Sequence, residues 1–134
     1  MLNNSSIYTF IGNIFYIGAG GFIGANLRYV VGLASKSLFG PYFPVGTWIV
    51  NIVGSFALGY LHSFFLQRSD VSLQTQFFLT TGLLGAVTTF STFNLESYLL
   101  FQNGEIKKAL LNTLGSVFLG LLALAIGYMV ATRR

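Results

Sequence analysis

The chain has no cysteine, two prolines, one histidine and three acidic residues among its 134. Without cysteine there is no disulfide, no thiolate metal site and no thiol catalysis. A single histidine, His62, is too few for a histidine-based zinc site. Charge is scarcer still. Asp, Glu, Lys and Arg make up 7% of the chain, where a soluble domain spends about a quarter on them. So few charges cannot cover a globular surface with polar groups. The formal net charge is +4 and the pI is about 9.6, but no basic cluster is present to neutralise phosphates, so nucleic acid is not an expected partner. Residues 1–10 contain no Lys or Arg. They lack the basic region of a signal peptide and are expected to stay in the mature protein.

Apolar residues fill the space that charge leaves. With 54% hydrophobic residues and a mean hydropathy of +0.72, the chain reads as an integral membrane protein, with the lipid bilayer as its solvent. Disorder is excluded by the aliphatic and aromatic content. Crossing the hydrocarbon takes about 20 mainly apolar residues in a helix. Four stretches qualify, residues 8–31, 45–66, 73–101 and 106–132. Polar joints separate them: Ser35-Lys36-Ser37 with Gly40-Pro41 and Pro44, then Gln67-Arg68-Ser69-Asp70, then Gln102-Asn103-Gly104-Glu105. The expectation is one all-α, four-helix transmembrane domain over residues 1–134, with sequential helices as antiparallel neighbours. A β-barrel is disfavoured, because the stretches are continuously apolar rather than alternating.

Orientation follows the excess of Lys and Arg in short cytoplasmic loops. Arg68, Arg133 and Arg134 fall on the side of the termini, and Lys36, Lys107 and Lys108 on the other, with Arg28 left over near the end of span one. A tie of this kind fits either a noisy count in a short chain or dual topology, in which copies insert both ways up. Two such copies could form an antiparallel dimer, a counterpart of the inverted repeats of transporters. Small residues recur at helix-packing spacing (Gly20 and Gly24, Gly54 and Gly59, Gly115 and Gly120, then Gly127), and packing within the chain accounts for most of them.

In such a chain the informative residues are the polar ones at mid-span. Thr47, Asn51 and Ser55 share one helical face of span two. An unpaired amide in hydrocarbon costs several kcal/mol or so, and position alone leaves Asn51 as either helix–helix glue or pathway lining. Span three carries the densest anomaly, residues 80–94, where hydroxyls, two glycines and Asn94 interrupt the apolar run. Consecutive Thr and nearby Gly weaken helix continuity, so a broken third helix is expected. A break at bilayer depth is tolerated where the freed backbone lines a cavity or meets an ion; the alternative is a helix held by Ser/Thr back-bonding. Carbonyls suit hard cations, whereas amides and hydroxyls suit anions. Phe90 and Phe93 lie on one helical face beside the hydroxyls. Their positive ring edges could meet an anion, or the pair could simply be packing. Glu96 reads as an intramembrane functional carboxylate or as an interfacial partner of Arg28 or a lysine. Asn112 and Ser116 lie one turn apart in span four and extend the polar strip; His62 reads as interfacial.

Three motifs carry a resemblance: GGFIGANLRY (residues 20–29), GTWIVNIVGS (residues 46–55) and GLLGAVTTFSTF (residues 82–93). With them the chain resembles, over essentially its whole length, the Fluc (CrcB-type) fluoride channels. The resemblance implies a dual-topology, antiparallel homodimer with two fluoride pores in the inner (plasma) membrane. It implies that Phe90 and Phe93 contact fluoride through their ring edges, with Asn51 hydrogen-bonding near them. Ser91 and Thr92 lie in the broken helix, and Thr47 and Ser116 match further polar lining. The backbone carbonyls of Gly85 and Thr88, from both subunits, match the site of a central structural sodium ion (Na+). Arg28 matches a span-one arginine with a structural or vestibular role, and Asn112 stands where the family pattern varies or carries an aromatic. The implied activity is passive export: hydrogen fluoride enters neutral, dissociates inside and leaves as fluoride, with no organic cofactor and no enzymatic step. The runner-up is a small multidrug-resistance-type proton antiporter, which needs a carboxylate in span one that this chain lacks.

Overall fold

The computed structural model describes residues 4–133. Residues 1–3 of the amino-terminal stretch and Arg134 of the charge count lie outside them. Every regular element among the described residues is helical: α1 (Asn4–Phe39), α2 (Val45–Leu66), α3 (Leu73–Phe77), a π-helical segment (Phe78–Leu84), α4 (Gly85–Val87), α5 (Phe90–Gln102) and α6 (Ile106–Thr132). Three helices are long and apolar enough to cross a membrane, Ser6–Phe39 within α1, Val45–Leu66 and Ile106–Thr132. The 22 residues of α2 span about 33 Å, a little more than the hydrocarbon core of a bilayer. The chain between α2 and α6 is helical but segmented.

The ends of α2 and α6 fall where turn residues and apolar runs put them. That is not true of α1. Ser35, Lys36 and Ser37, expected in a polar joint, lie in its last turns. Nothing in that trio stops a helix. The stop comes at Gly40, whose φ of +76° is favourable only without a side chain, followed by Pro41. The joint is therefore the short link from Gly40 to Pro44. Gly104, also at φ +76°, makes the turn between α5 and α6.

The residue distribution is that of a lipid-solvated protein. Large apolar side chains such as Phe15, Phe22, Leu114 and Phe118 point outward, while the buried set is rich in small and polar residues, among them Ser35, Thr47, Ser63, Thr89, Asn112 and Ser116. Lipid tails offer no hydrophobic drive for helices to associate, so close backbone approach and hydrogen bonds must do it. The most extensive packing is between α2 and α6. A Cβ at Gly59 would run into the Leu124 carbonyl, and one at Gly127 into that of Phe56. The seam is closed at one end by Ser63 and Thr132, whose hydroxyls are 2.8 Å apart, and by Gln67, which donates to the Ala131 carbonyl. Helix α1 packs chiefly on residues 73–87, with Gly20 and Gly24 against the backbone of Phe78 and Leu83. Chain neighbours α1 and α2 touch less than these non-consecutive pairs.

Candidate functional site

The segmented stretch breaks between α4 and α5. Thr88 turns out of the helix at ψ 156°, and Thr89 is extended at φ −151°, ψ 121°. Back-bonding is present, as Thr80 donates to the Gln76 carbonyl and Thr88 to that of Leu84, yet it does not hold the helix together. Asn51 of α2 takes over the freed backbone. Its Oδ1 accepts from Thr89 N–H at 2.8 Å, and its Nδ2 donates to the Thr89 carbonyl at 3.1 Å. The Thr89 hydroxyl then caps α5 by accepting from Thr92 N–H at 3.2 Å. Of the two readings of Asn51, the glue is thus visible directly. One of its two N–H donors remains over.

A cavity of about 300 Å³ lies against this break, lined by Asn51, Thr88, Thr89, Phe90, Phe93 and Ser116, with Gly85 at its wall. The sequence places these residues on three separate stretches; the fold brings them to one place. The phenyl rings are 5.8 Å apart at 43°, but their settings differ. Phe93 is 4% exposed and Phe90 75%. The Ser116 hydroxyl oxygen is buried with no hydrogen-bond partner, so a residue with unused polar capacity lines the same cavity as the rings.

Thr47, Thr92 and Arg28 line a different cavity, of about 330 Å³, which shares Thr89 with the first. Here Thr47 Oγ1 donates to Glu96 Oε1 at 2.8 Å, and Glu96 Oε2 is buried without a partner. Among the described residues the ion pair is Lys108–Glu105; Glu96 pairs with neither Arg28 nor a lysine but with a neutral hydroxyl. Lys36 and Glu96 also line a further cavity, toward the Gly40–Pro44 link. Ser91 is exposed at the start of α5 and lines neither the Phe cavity nor the Arg28 one. His62 is exposed near Tyr128, with 6.2 Å between ring centres. It lines a cavity that shares Thr80 and Leu58 with the Phe cavity. Cavities with some polar residues in their walls therefore flank the segmented stretch on both sides of the break.

Sequence reasoning gave no role to Thr89, Trp48 or Ser97. Thr89 was findable, since Thr89 and Thr92 are spaced as a helix cap and its target. Trp48 and Ser97 were not. Their partner is Asn112, buried at 0% exposure, which accepts from Trp48 Nε1 at 2.7 Å and donates to Ser97 Oγ at 2.9 Å.

Comparison with known proteins adds an independent finding. The family described as "CrcB-like protein, Camphor Resistance (CrcB)" matches residues 15–128. The chain is 43% identical over 122 residues to a protein of Shewanella amazonensis named "Fluoride-specific ion channel FluC", covering 91% of this chain and 98% of that one. Proteins of the same name from Rhizobium meliloti (42% over 115 residues, 86% and 92% covered) and Aquifex aeolicus (39% over 120 residues, 90% and 97% covered) are also similar.

Proposed function

This chain belongs to the CrcB family, and from that premise we propose that it is a fluoride-specific channel that lets cytoplasmic fluoride leave passively. It is a multi-pass membrane protein, and in a bacterium its membrane is the plasma membrane. The observation that carries the reading is the convergence of Asn51, Phe90, Phe93 and Ser116 on one cavity at a helix break. Fluoride must shed tightly held water, so a path for it needs hydrogen-bond donors and positive dipoles without an immobile cation that would trap it. The remaining Asn51 N–H and the unpaired Ser116 hydroxyl supply donors. The ring edges of Phe90 and Phe93 supply positive dipoles. An inside-negative potential favours anion exit by about 2.3 kcal/mol per charge per 100 mV. The antiporter reading has nothing in its favour, since α1 contains no carboxylate.

The segmented stretch makes the fourth crossing in this reading, with its break at bilayer depth. Two chains assemble antiparallel, as the balanced Lys and Arg count allows, and give two pores. The exposure of Phe90 in the single chain suits a pore completed by a partner. Thr47, Ser91, Thr92 and Arg28 then belong to its approaches. The chemistry of the break also suits a sodium ion. Thr89 N–H is committed to Asn51, so it does not continue the helix onto the Gly85 carbonyl, and the Thr88 carbonyl leaves the helix altogether. Oxygen donors of this kind are what a hard cation takes. Carbonyls of Gly85 and Thr88 from two chains would hold the ion between the subunits.

The test is fluoride efflux from liposomes containing the purified protein, read with a fluoride electrode against chloride as the matched anion. Rapid fluoride release without chloride release is expected; no release from folded protein overturns the reading. Insertion tags at the carboxyl terminus should report both orientations in cells, and a single orientation removes the antiparallel dimer.

A further inference from the structure

Asn112 of α6 is fully buried, yet hydrogen bonds connect it to the backbone carbonyl of one of the two phenylalanines. Trp48 Nε1–H donates to Asn112 Oδ1 at 2.7 Å. Asn112 Nδ2 donates to Ser97 Oγ at 2.9 Å, and Ser97 Oγ donates to the Phe93 carbonyl at 2.9 Å. The direction of every bond is fixed, because an indole N–H can only donate. The amide oxygen must face Trp48, the amide nitrogen must face Ser97, and the serine proton is left for Phe93. Hydrogen bonds aligned head to tail in a low-dielectric interior polarise one another. The indole at the head of the relay is itself seated. It meets Phe43 edge-on at 5.4 Å and lies where a side chain at Gly115, three residues beyond Asn112, would have to be.

We propose that Asn112, acting through Ser97 and keyed by Trp48, is a positioning residue that sets where the Phe93 ring stands in the fluoride path. The relay joins α2, α5 and α6 at the turn that carries Phe93. Phe90 is 75% exposed and lies outside the relay; the backbone before it is held instead by the Asn51 clamp on Thr89. The two rings of the pair are therefore governed separately. Phe93 is buried within its own chain, and the relay acts on it through its carbonyl. This inference rests on the channel reading for its consequence but not for its geometry.

The experiment reads geometry and flux in the full-length protein. 4-Fluorophenylalanine is placed at position 93, or at position 90 as the reference, and its fluorine resonance is recorded in wild type, Ser97→Ala and Ser97→Thr. Ser97→Ala cuts the relay below Asn112, whereas Ser97→Thr keeps the hydroxyl. The resonance at position 93 is expected to move or broaden in Ser97→Ala and to return in Ser97→Thr, with position 90 unchanged. Without the fluorine label, fluoride efflux should fall severalfold in Ser97→Ala and recover in Ser97→Thr. In a Phe93→Ile background Ser97→Ala should lower efflux no further, because residues that act through one another are not additive. Trp48→Phe, which removes the first donor together with the part of the indole that packs at Gly115, is the second variant and should displace the same resonance. Wild-type resonances in both Ser97→Ala and Trp48→Phe overturn the proposal, as does an efflux loss that simply adds to that of Phe93→Ile. If wild-type liposomes release no fluoride, the channel reading fails while the resonance at position 93 still decides the positioning role.

Discussion

The two halves of the segmented stretch solve the same problem in opposite ways. Residues 73–87 lie on α1, and α5 lies on α6. The first half is held by what is missing: with no side chain at Gly20 and Gly24, the backbones of α1 and the π-helical segment meet directly. The second half is held by what is present, in side-chain hydrogen bonds from Asn51 to Thr89 and from Asn112 to Ser97. The difference teaches where each kind of contact is useful. Backbone contact through glycine leaves no room for an ion. Side-chain contact leaves polar atoms at the wall of a cavity, and the break is where one regime gives way to the other.

The comparison can be broken most severely from the glycine side. In Gly24→Val the new Cβ would occupy the place of the Leu83 carbonyl, and neither backbone can yield. The expected result is loss of folded protein, a cost above about 3 kcal/mol, seen as absent monodisperse protein on size-exclusion chromatography. A well-folded Gly24→Val variant removes the claim that this half is packed backbone to backbone.

Asn51→Leu comes next. It keeps the bulk but orphans the Thr89 N–H and carbonyl, at about 1–3 kcal/mol for each group left unpaired. Folded protein of lowered thermal stability and strongly reduced fluoride efflux is expected. Wild-type efflux with lowered stability would make Asn51 a structural clamp alone.

Smaller and sharper is the contrast between Phe90→Ile and Phe93→Ile. Both should impair fluoride efflux without abolishing assembly. Phe93 is buried and Phe90 exposed, so Phe93→Ile should also lower stability by about 1–2 kcal/mol, and Phe90→Ile should not. Equal melting temperatures would erase the distinction between the rings, and unchanged efflux in both variants would remove their ring-edge role.

Much of this was legible in the sequence, for identifiable reasons. Val45–Leu66 and Ile106–Thr132 match the expected stretches because turn residues bracket uniform apolar runs. The break between Thr88 and Thr89 was legible because hydroxyls and glycines there oppose a helix from within. The extra turns of α1 were not, since polar Ser35-Lys36-Ser37 looked like a joint although nothing in it opposes a helix. The π-helical segment left no composition signal that distinguishes it from an α-helix. Trp48 and Asn112, 64 residues apart, leave no local trace of their pairing, and neither do Thr47 and Glu96. The motif drew attention to the TTFSTF run, part of which lines the cavities; the partners of Asn51 and Asn112 were not legible, because an amide and its partner are matched only by the fold.

One feature of the packing bears on how the molecule is made. The chain's best partners are not consecutive: α1 mates with residues 73–87, and α2 mates with α6. A growing chain therefore releases α1 and α2 into the bilayer before either has its principal mate, joined by the short link from Gly40 to Pro44. Their glycine faces wait in lipid until synthesis supplies the rest. Helices that insert first and associate later tolerate such a delay. A truncated product ending within residues 67–72 would carry two unmatched surfaces, the raw material for quality-control recognition.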